Sequence, residues 1–289
     1  MIIAISALLA LLGYHFWDEI GLEKIFDRKD SSPQPGFEDN WEVAEEVEWL
    51  SGGQGLELTV VNSLTDDWDK YFTETIADWG ASPSLSLTTT EIKGKEDSCS
   101  HRAGVMNVCN AEYGKTTWKG LNEYSYYRLQ DSDKKYIISS LAIMNDSYLI
   151  GTSDAEKLYV MCHEIGHGYG LQHRDTNLRN TNLGTCMDYT LNFENTSKPD
   201  DVDFQNLFEL YGIFGTRRHL RENNKNQIGV VKRQLEQGNI LERRKVNNFR
   251  RGRILHRSKF REVYESYLGD GLSVVTMLLL VTEDEDIEP

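Results

Sequence analysis

The chain reads as an α+β domain with appended termini, and three observations predict it. Strand-like apolar runs recur between residues 56 and 145. Apolar residues fall at helical spacing over 66–79, 153–168 and 200–211. A glycine-rich hairpin signal at 269–271 precedes one last apolar run. At 289 residues the chain suits one large domain with appendages or two small ones. Hydrophobic residues at 39%, charged residues at 27% and only 5 prolines exclude collagen-like, low-complexity and wholly disordered classes.

Order is expected to begin near Leu56. A strand over Leu56–Asn62 leads to a helix over Asp66–Trp79, whose Trp68, Phe72, Ile76 and Trp79 form a core stripe. A strand over Ser84–Ile92 follows, then strand-like runs at Ala103–Cys109, Trp118–Tyr127 and Tyr136–Asn145. Ser153, with Glu156 three residues on, has the signature of a capping box and opens a helix through Leu158, Val160, Met161 and Ile165. The last helix runs from about Asp200 to Tyr211 and stops at Gly212. Leu272–Val281, after Gly269-Asp270-Gly271, reads as the return strand of a hairpin and is too short to cross a membrane.

The termini differ in character. Met1–Leu12 is an apolar run shorter than the ~17–25 residues of a membrane span but suited to a signal-peptide core. No Lys or Arg precedes it and no clear small-x-small site follows before Trp17, so 1–17 is a signal peptide or an uncleaved signal anchor. Residues 18–52, acidic and broken by SSPQPG at 31–36, read as a linker or pro-segment. The net charge of −15 argues against nucleic acid as partner. That charge is uneven, because Arg217–Arg261 holds 15 basic and 3 acidic residues. This basic stretch either folds back on the acidic body or meets an anionic partner. Four cysteines behind an export signal favour disulfides, with three pairings open. The sequons Asn145-Asp146-Ser147 and Asn195-Thr196-Ser197 suit an exported chain.

The chemistry concentrates in His163-Glu164-Ile165-Gly166-His167-Gly168-Tyr169-Gly170-Leu171-Gln172-His173. His163 and His167, four apart on one helical face, reach a single ion. Glu164 stays outside the ligand set and can hydrogen-bond a water there, as a general base must. Gly170 can take the positive φ that stops the helix and returns His173 toward the ion. Three imidazoles leave a coordination position open, the pattern of a catalytic rather than a structural zinc site. Chance assembly of such a motif has a probability on the order of 10⁻⁵.

Thr185-Cys186-Met187-Asp188-Tyr189 lies beyond His173, with Met187 fourteen residues on. Together with the long zinc motif it resembles the metzincin clan of zinc peptidases, within it a matrixin-like group of secreted zincins sharing VCNAEYG, MCHEIGHGYGLQH and LGTCMDYT. The resemblance covers about 56–212. It implies a twisted, mostly parallel five-stranded sheet with an active-site helix, a methionine turn and a C-terminal helix. Met187 would be the turn methionine, and Tyr189 a zinc ligand, an oxyanion donor or a merely structural tyrosine. The strand near Trp118–Tyr127 would be the free edge that pairs with extended substrate. Arg174 departs from the family, where matrixins carry Ser, adamalysins Asp and astacins Glu. No cysteine-switch propeptide is present, so thiolate latency is not expected. Because the Cys162 and Cys186 stretches converge on the metal in this family, the resemblance implies Cys162–Cys186 and Cys99–Cys109, with a reactive Cys162 thiol as the alternative.

The implied organisation is a zinc metallopeptidase domain at 53–215, a basic linker at 216–252 and a β-hairpin extension with an acidic tail at 253–289. The expected activity is secreted endopeptidase cleavage of polypeptide substrate with Zn²⁺ as cofactor and Glu164 as general base. The competing reading is an exported surface or matrix protein of zincin fold that binds polyanions through Arg217–Arg261 without proteolysis. Arg250-Arg251-Gly252-Arg253 and Lys232-Arg233 are candidate processing sites for basic-specific proteases.

Overall fold

The computed structural model describes residues 46–93, 99–129, 134–175, 180–214, 252–258, 260–269 and 271–281. The signal segment, residues 18–45 of the acidic stretch, 217–251 of the basic run with the candidate processing site Lys232-Arg233 and residues Arg250-Arg251 of the other, and the acidic tail at 282–289 lie outside the described residues. Among those described the strands are β1 (Val47–Trp49), β2 (Leu56–Asn62), β3 (Leu85–Glu91), β4 (Val105–Ala111), β5 (Trp118–Arg128), β6 (Lys135–Asn145), β7 (Arg253–Arg257), β8 (Arg261–Gly269) and β9 (Leu272–Leu280). The helices are α1 (Asp69–Gly80), α2 (Asp146–Leu149), α3 (Asp154–Gly168) and α4 (Asp201–Tyr211).

The strands form one sheet in the order β3-β2-β4-β6-β5-β9-β8-β7, with β1 beside β6. This overturns the expected metzincin-like architecture of a mostly parallel five-stranded sheet. The β1–β6, β2–β3, β2–β4 and β4–β6 pairs are parallel, and β5–β6, β5–β9, β8–β9 and β7–β8 are antiparallel. The sheet is therefore large and evenly mixed.

The cause lies in β9. Its sequence LSVVTMLLL is buried at every position, as in a strand covered on both faces. Burying Val274, Val275, Met277 and Leu278 favours docking by roughly 1.5–3 kcal/mol each, which an isolated hairpin could not supply. The edge of β5 offers unpaired backbone groups, and β9 takes it from Trp118↔Leu280 to Tyr127↔Leu272. The strand expected to be a free edge for substrate is thus interior.

A second departure is at the start. Val47 and Trp49, ahead of the expected onset at Leu56, are buried in β1, and Trp49 Nε1 donates to Gly168 O at 2.8 Å. The sequon residue Asn145 is also buried: its Oδ1 caps α2 through Ser147 N, and its Nδ2 donates to Trp118 O at 3.0 Å. Asn145 is therefore closed to glycosylation in the folded chain, whereas Asn195 is exposed. No described helix is long and apolar enough to cross a membrane.

Helix α3 lies across β5 and β6 and beside α1. Gly120, Asn122 and Ser140 face it, whereas Leu121, Leu141 and Ile143 enter a second apolar layer on the opposite side with Leu278 from β9. On that side His101 joins Ser139 Oγ at 2.8 Å and Glu123 Oε1 at 2.9 Å, and Thr276 Oγ1 donates to Glu123 Oε2 at 2.6 Å. This buried polar network fastens β9 to β5.

Candidate metal centre

Helix α3 begins as its sequence directs. Ser153 Oγ accepts from Glu156 N at 3.1 Å, but the reciprocal half of the capping box is missing because Glu156 pairs with the buried Lys119 at 3.0 Å. The complete box occurs at α4 instead, between Asp200 and Asp203. From Tyr159 to Gly168 every residue of α3 is buried. Gly166 is required there, since a Cβ would strike Met187 Sδ and come within 2.9 Å of Trp79.

Past the last helical residue, Gly168, the chain turns at Gly170, which takes φ of 90°. Gly170 N donates to His167 O at 2.9 Å and Leu171 N to Gly166 O at 3.3 Å, the paired bonds of a Schellman cap. Arg174 N then donates to Met187 O at 2.9 Å, holding the chain on either side of His173. The Arg174 side chain, the departure from the family pattern, reaches Asp200 Oδ1 at 2.8 Å. It ties this segment to the start of α4.

The three imidazoles converge. His163 Nε2 lies 2.9 Å from His173 Nε2, and His167 Nε2 lies 3.1 Å and 3.0 Å from the other two. Ligands at 2.0–2.1 Å in a tetrahedral site stand about 3.3 Å apart, so the spacing fits one ion. Among the described residues this is the one group of His, Cys, Asp or Glu side chains placed to share a metal.

Proton placement strengthens the fit. His163 Nδ1 meets Cys186 O at 2.7 Å and His167 Nδ1 meets Leu171 O at 2.9 Å. A carbonyl only accepts, so both protons sit on Nδ1. Burial holds His163 down at about 4 and, with the neighbouring His163, pushes His167 well below its ordinary value. Both rings are therefore neutral at pH 7 and aim lone pairs inward. Two lone pairs 3.1 Å apart repel unless a cation or a donor stands between them. The carbonyls play the orienting role that outer-shell partners have in metal sites.

Glu164 is 1% exposed, and neither carboxylate oxygen has a hydrogen-bond partner. Burial drives its pKa well above the ordinary value. Asn122, which the sequence did not single out, donates from Nδ2 to Glu164 O at 2.9 Å. Gly120 leaves the carboxylate its space, since a Cβ there would lie 2.6 Å from Oε1. Neither residue carries a sequence signal, because both act through their place on β5.

Met187 is fully buried beneath α3. Two disulfides are present, Cys99–Cys109 and Cys162–Cys186, so Cys162 is no free thiol. The second bond clamps the Met187 turn to α3 and sets Cys186 O against His163. Tyr189 packs against His173 with tilted rings whose centroids are 4.7 Å apart, but its hydroxyl donates to Phe260 O at 3.1 Å. Arg261 opens β8 and Phe260 directly precedes it, and Arg261 Nη1 contacts His173 Nδ1. Sequence reading placed Arg261 only within a charge run. In its described part only Arg261 is buried, whereas Arg253 and Arg257 are exposed and pair with Glu265 and Glu262.

No known family model matches the chain, and no curated protein shows significant similarity to it.

Proposed function

We propose that the chain is a secreted zinc-dependent peptide hydrolase with His163, His167 and His173 as metal ligands and Glu164 as general base. One observation carries the reading: three imidazole nitrogens within 3.1 Å of one another beside a buried carboxylate that has no partner. Such a carboxylate costs several kcal/mol to keep ionised unless a cation or an ordered water joins it. The two disulfides support an oxidising compartment.

When bound, a zinc ion supplies Lewis-acid polarisation of a carbonyl and acidifies a water. The chain's own residues handle the proton. A Glu164 carboxylate oxygen takes it from water as the water oxygen joins the peptide carbonyl carbon, then returns it to the departing amine nitrogen as the C–N bond breaks. Asn122 fixes the backbone of Glu164 while this happens, and the apolar surround raises the basicity of its carboxylate.

The test compares wild type with Glu164→Gln on a peptide library, with zinc content measured in parallel. The variant keeps its zinc and loses about 10²–10⁴-fold in cleavage. Undiminished cleavage by the variant, or no chelator-sensitive cleavage by any zinc-loaded chain, overturns the proposal.

A further inference from the structure

We infer that the C-terminal strands act as a latch on this centre, and that the hold of Arg261 on His173 and the hold of a metal on His173 are alternatives. The inference rests on the proposed metal site. Its experiment reads metal affinity rather than hydrolysis, so the two fail differently.

A guanidinium only donates and does not lose its proton in proteins. Arg261 Nη1 contacts His173 Nδ1, so that nitrogen must offer a lone pair, and the proton of the neutral ring moves to Nε2. There it points at the inward lone pairs of His163 and His167, 2.9 Å and 3.0 Å away. The seated arginine thus gives a self-consistent hydrogen-bond network in which His173 Nε2–H points at the other two rings.

A metal reverses this pattern. For His173 to bind through Nε2 its proton must return to Nδ1, and an N–H then faces an N–H of Arg261. The guanidinium, 3% exposed, would also bring a positive charge beside a dication with little solvent to screen it. Full three-histidine ligation therefore requires Arg261 to leave its seat.

Arg261 does not move alone, because it opens β8. Leu280 N donates to Phe260 O at 2.8 Å, Val281 N to Thr117 O at 2.9 Å, and Tyr189 OH reaches the same Phe260 carbonyl. Phe260, Leu279 and Leu280 also line one wall of the narrow cleft that holds Tyr159, Tyr189 and Phe193. β8, which carries the latch, pairs with β9, the strand that fills the β5 edge. Metal loading and loosening of the β8 start are consequently linked.

The experiment titrates Zn²⁺ against a chromophoric chelator in the full oxidised chain, as wild type, Arg261→Lys and Arg261→Gln. Lysine keeps a cationic donor, and affinity stays within about twofold of wild type. Glutamine fills similar space and can turn its carbonyl oxygen to His173 Nδ1–H, and affinity rises at least about tenfold. Far-UV and near-UV circular dichroism confirm that each chain is folded. Should either substitution unfold the chain, Phe260→Ala, which weakens the same seat, raises zinc affinity in its place. Equal affinity of folded wild type and glutamine chains, or of wild type and Phe260→Ala if that variant is used, overturns the latch and leaves the metal site standing. Absence of zinc binding in every folded chain overturns both.

Discussion

Replacing Gly170 with alanine isolates how the third histidine is delivered. At φ of 90° the backbone lies in the left-handed region, where a Cβ costs about 1–2 kcal/mol. The new Cβ would also strike the carbonyl oxygen of Val47. A backbone atom cannot swing aside as a side chain can, so β1 must shift against β6. Strain and lost packing together give a loss of about 2–4 kcal/mol. The second effect is local. Leu171 O moves away from His167 Nδ1, and His173 no longer closes the triangle of nitrogens. Zinc affinity then falls by more than about tenfold, in line with losses seen when outer-shell partners of a metal ligand are removed. Denaturant unfolding in chelator measures the first quantity and chelator competition the second. A stability loss under about 0.5 kcal/mol together with unchanged zinc affinity would refute the assignment of the cap.

Two further outcomes follow from the same geometry. Replacing Cys162 and Cys186 with serine opens a bridge spanning 24 residues, for which chain entropy gives about 3.5 kcal/mol; unfolding free energy falls by that order and zinc affinity with it, whereas a change in neither contradicts the clamp. Asp203 is 1% exposed, and burial raises its pKa to about 6. The unfolded value is near 3.9, so its contribution to stability is full below about pH 4 and is lost as the pH rises through about 6. Asp203→Asn cannot titrate, so its stability deficit relative to wild type shrinks between pH 4 and 7 by up to about 3 kcal/mol; a deficit that widens over that range contradicts the burial argument.

Local structure was largely legible from residues. The strand at Leu56–Asn62 and the runs at Trp118 and Tyr136 match β2, β5 and β6 to within a residue or so, because β-branched content in β2 and β6 and aromatic content in β5 act locally. Ser153 and Gly170 mark the ends of α3, one through its side-chain acceptor and the other through its freedom to take positive φ, and neither needs tertiary context. The convergence of His163, His167 and His173 was legible for the same reason: helical spacing plus one positive φ. Long-range pairing was not. Nothing in LSVVTMLLL says which edge it will cover, and a return strand of a hairpin and a docked strand look alike in sequence. That ambiguity made β5 a predicted edge when it is interior. Asn122 and Arg261 were missed likewise, since an asparagine in a strand and an arginine in a basic run acquire meaning only from what they face. The Ser153–Glu156 spacing fits a capping box, yet Lys119, distant in sequence, claims the Glu156 carboxylate.

The central claim concerns three rings and one ion, and metal retention tests it most directly. Oxidised full-length protein is dialysed against metal-free buffer after loading with Zn²⁺, alongside His167→Ala, and both are assayed for bound metal per folded chain. The account predicts about one zinc retained by wild type and almost none by the variant, as expected when a catalytic three-ligand site loses one ligand. No zinc on the folded wild type, or equal retention by both chains, would contradict it.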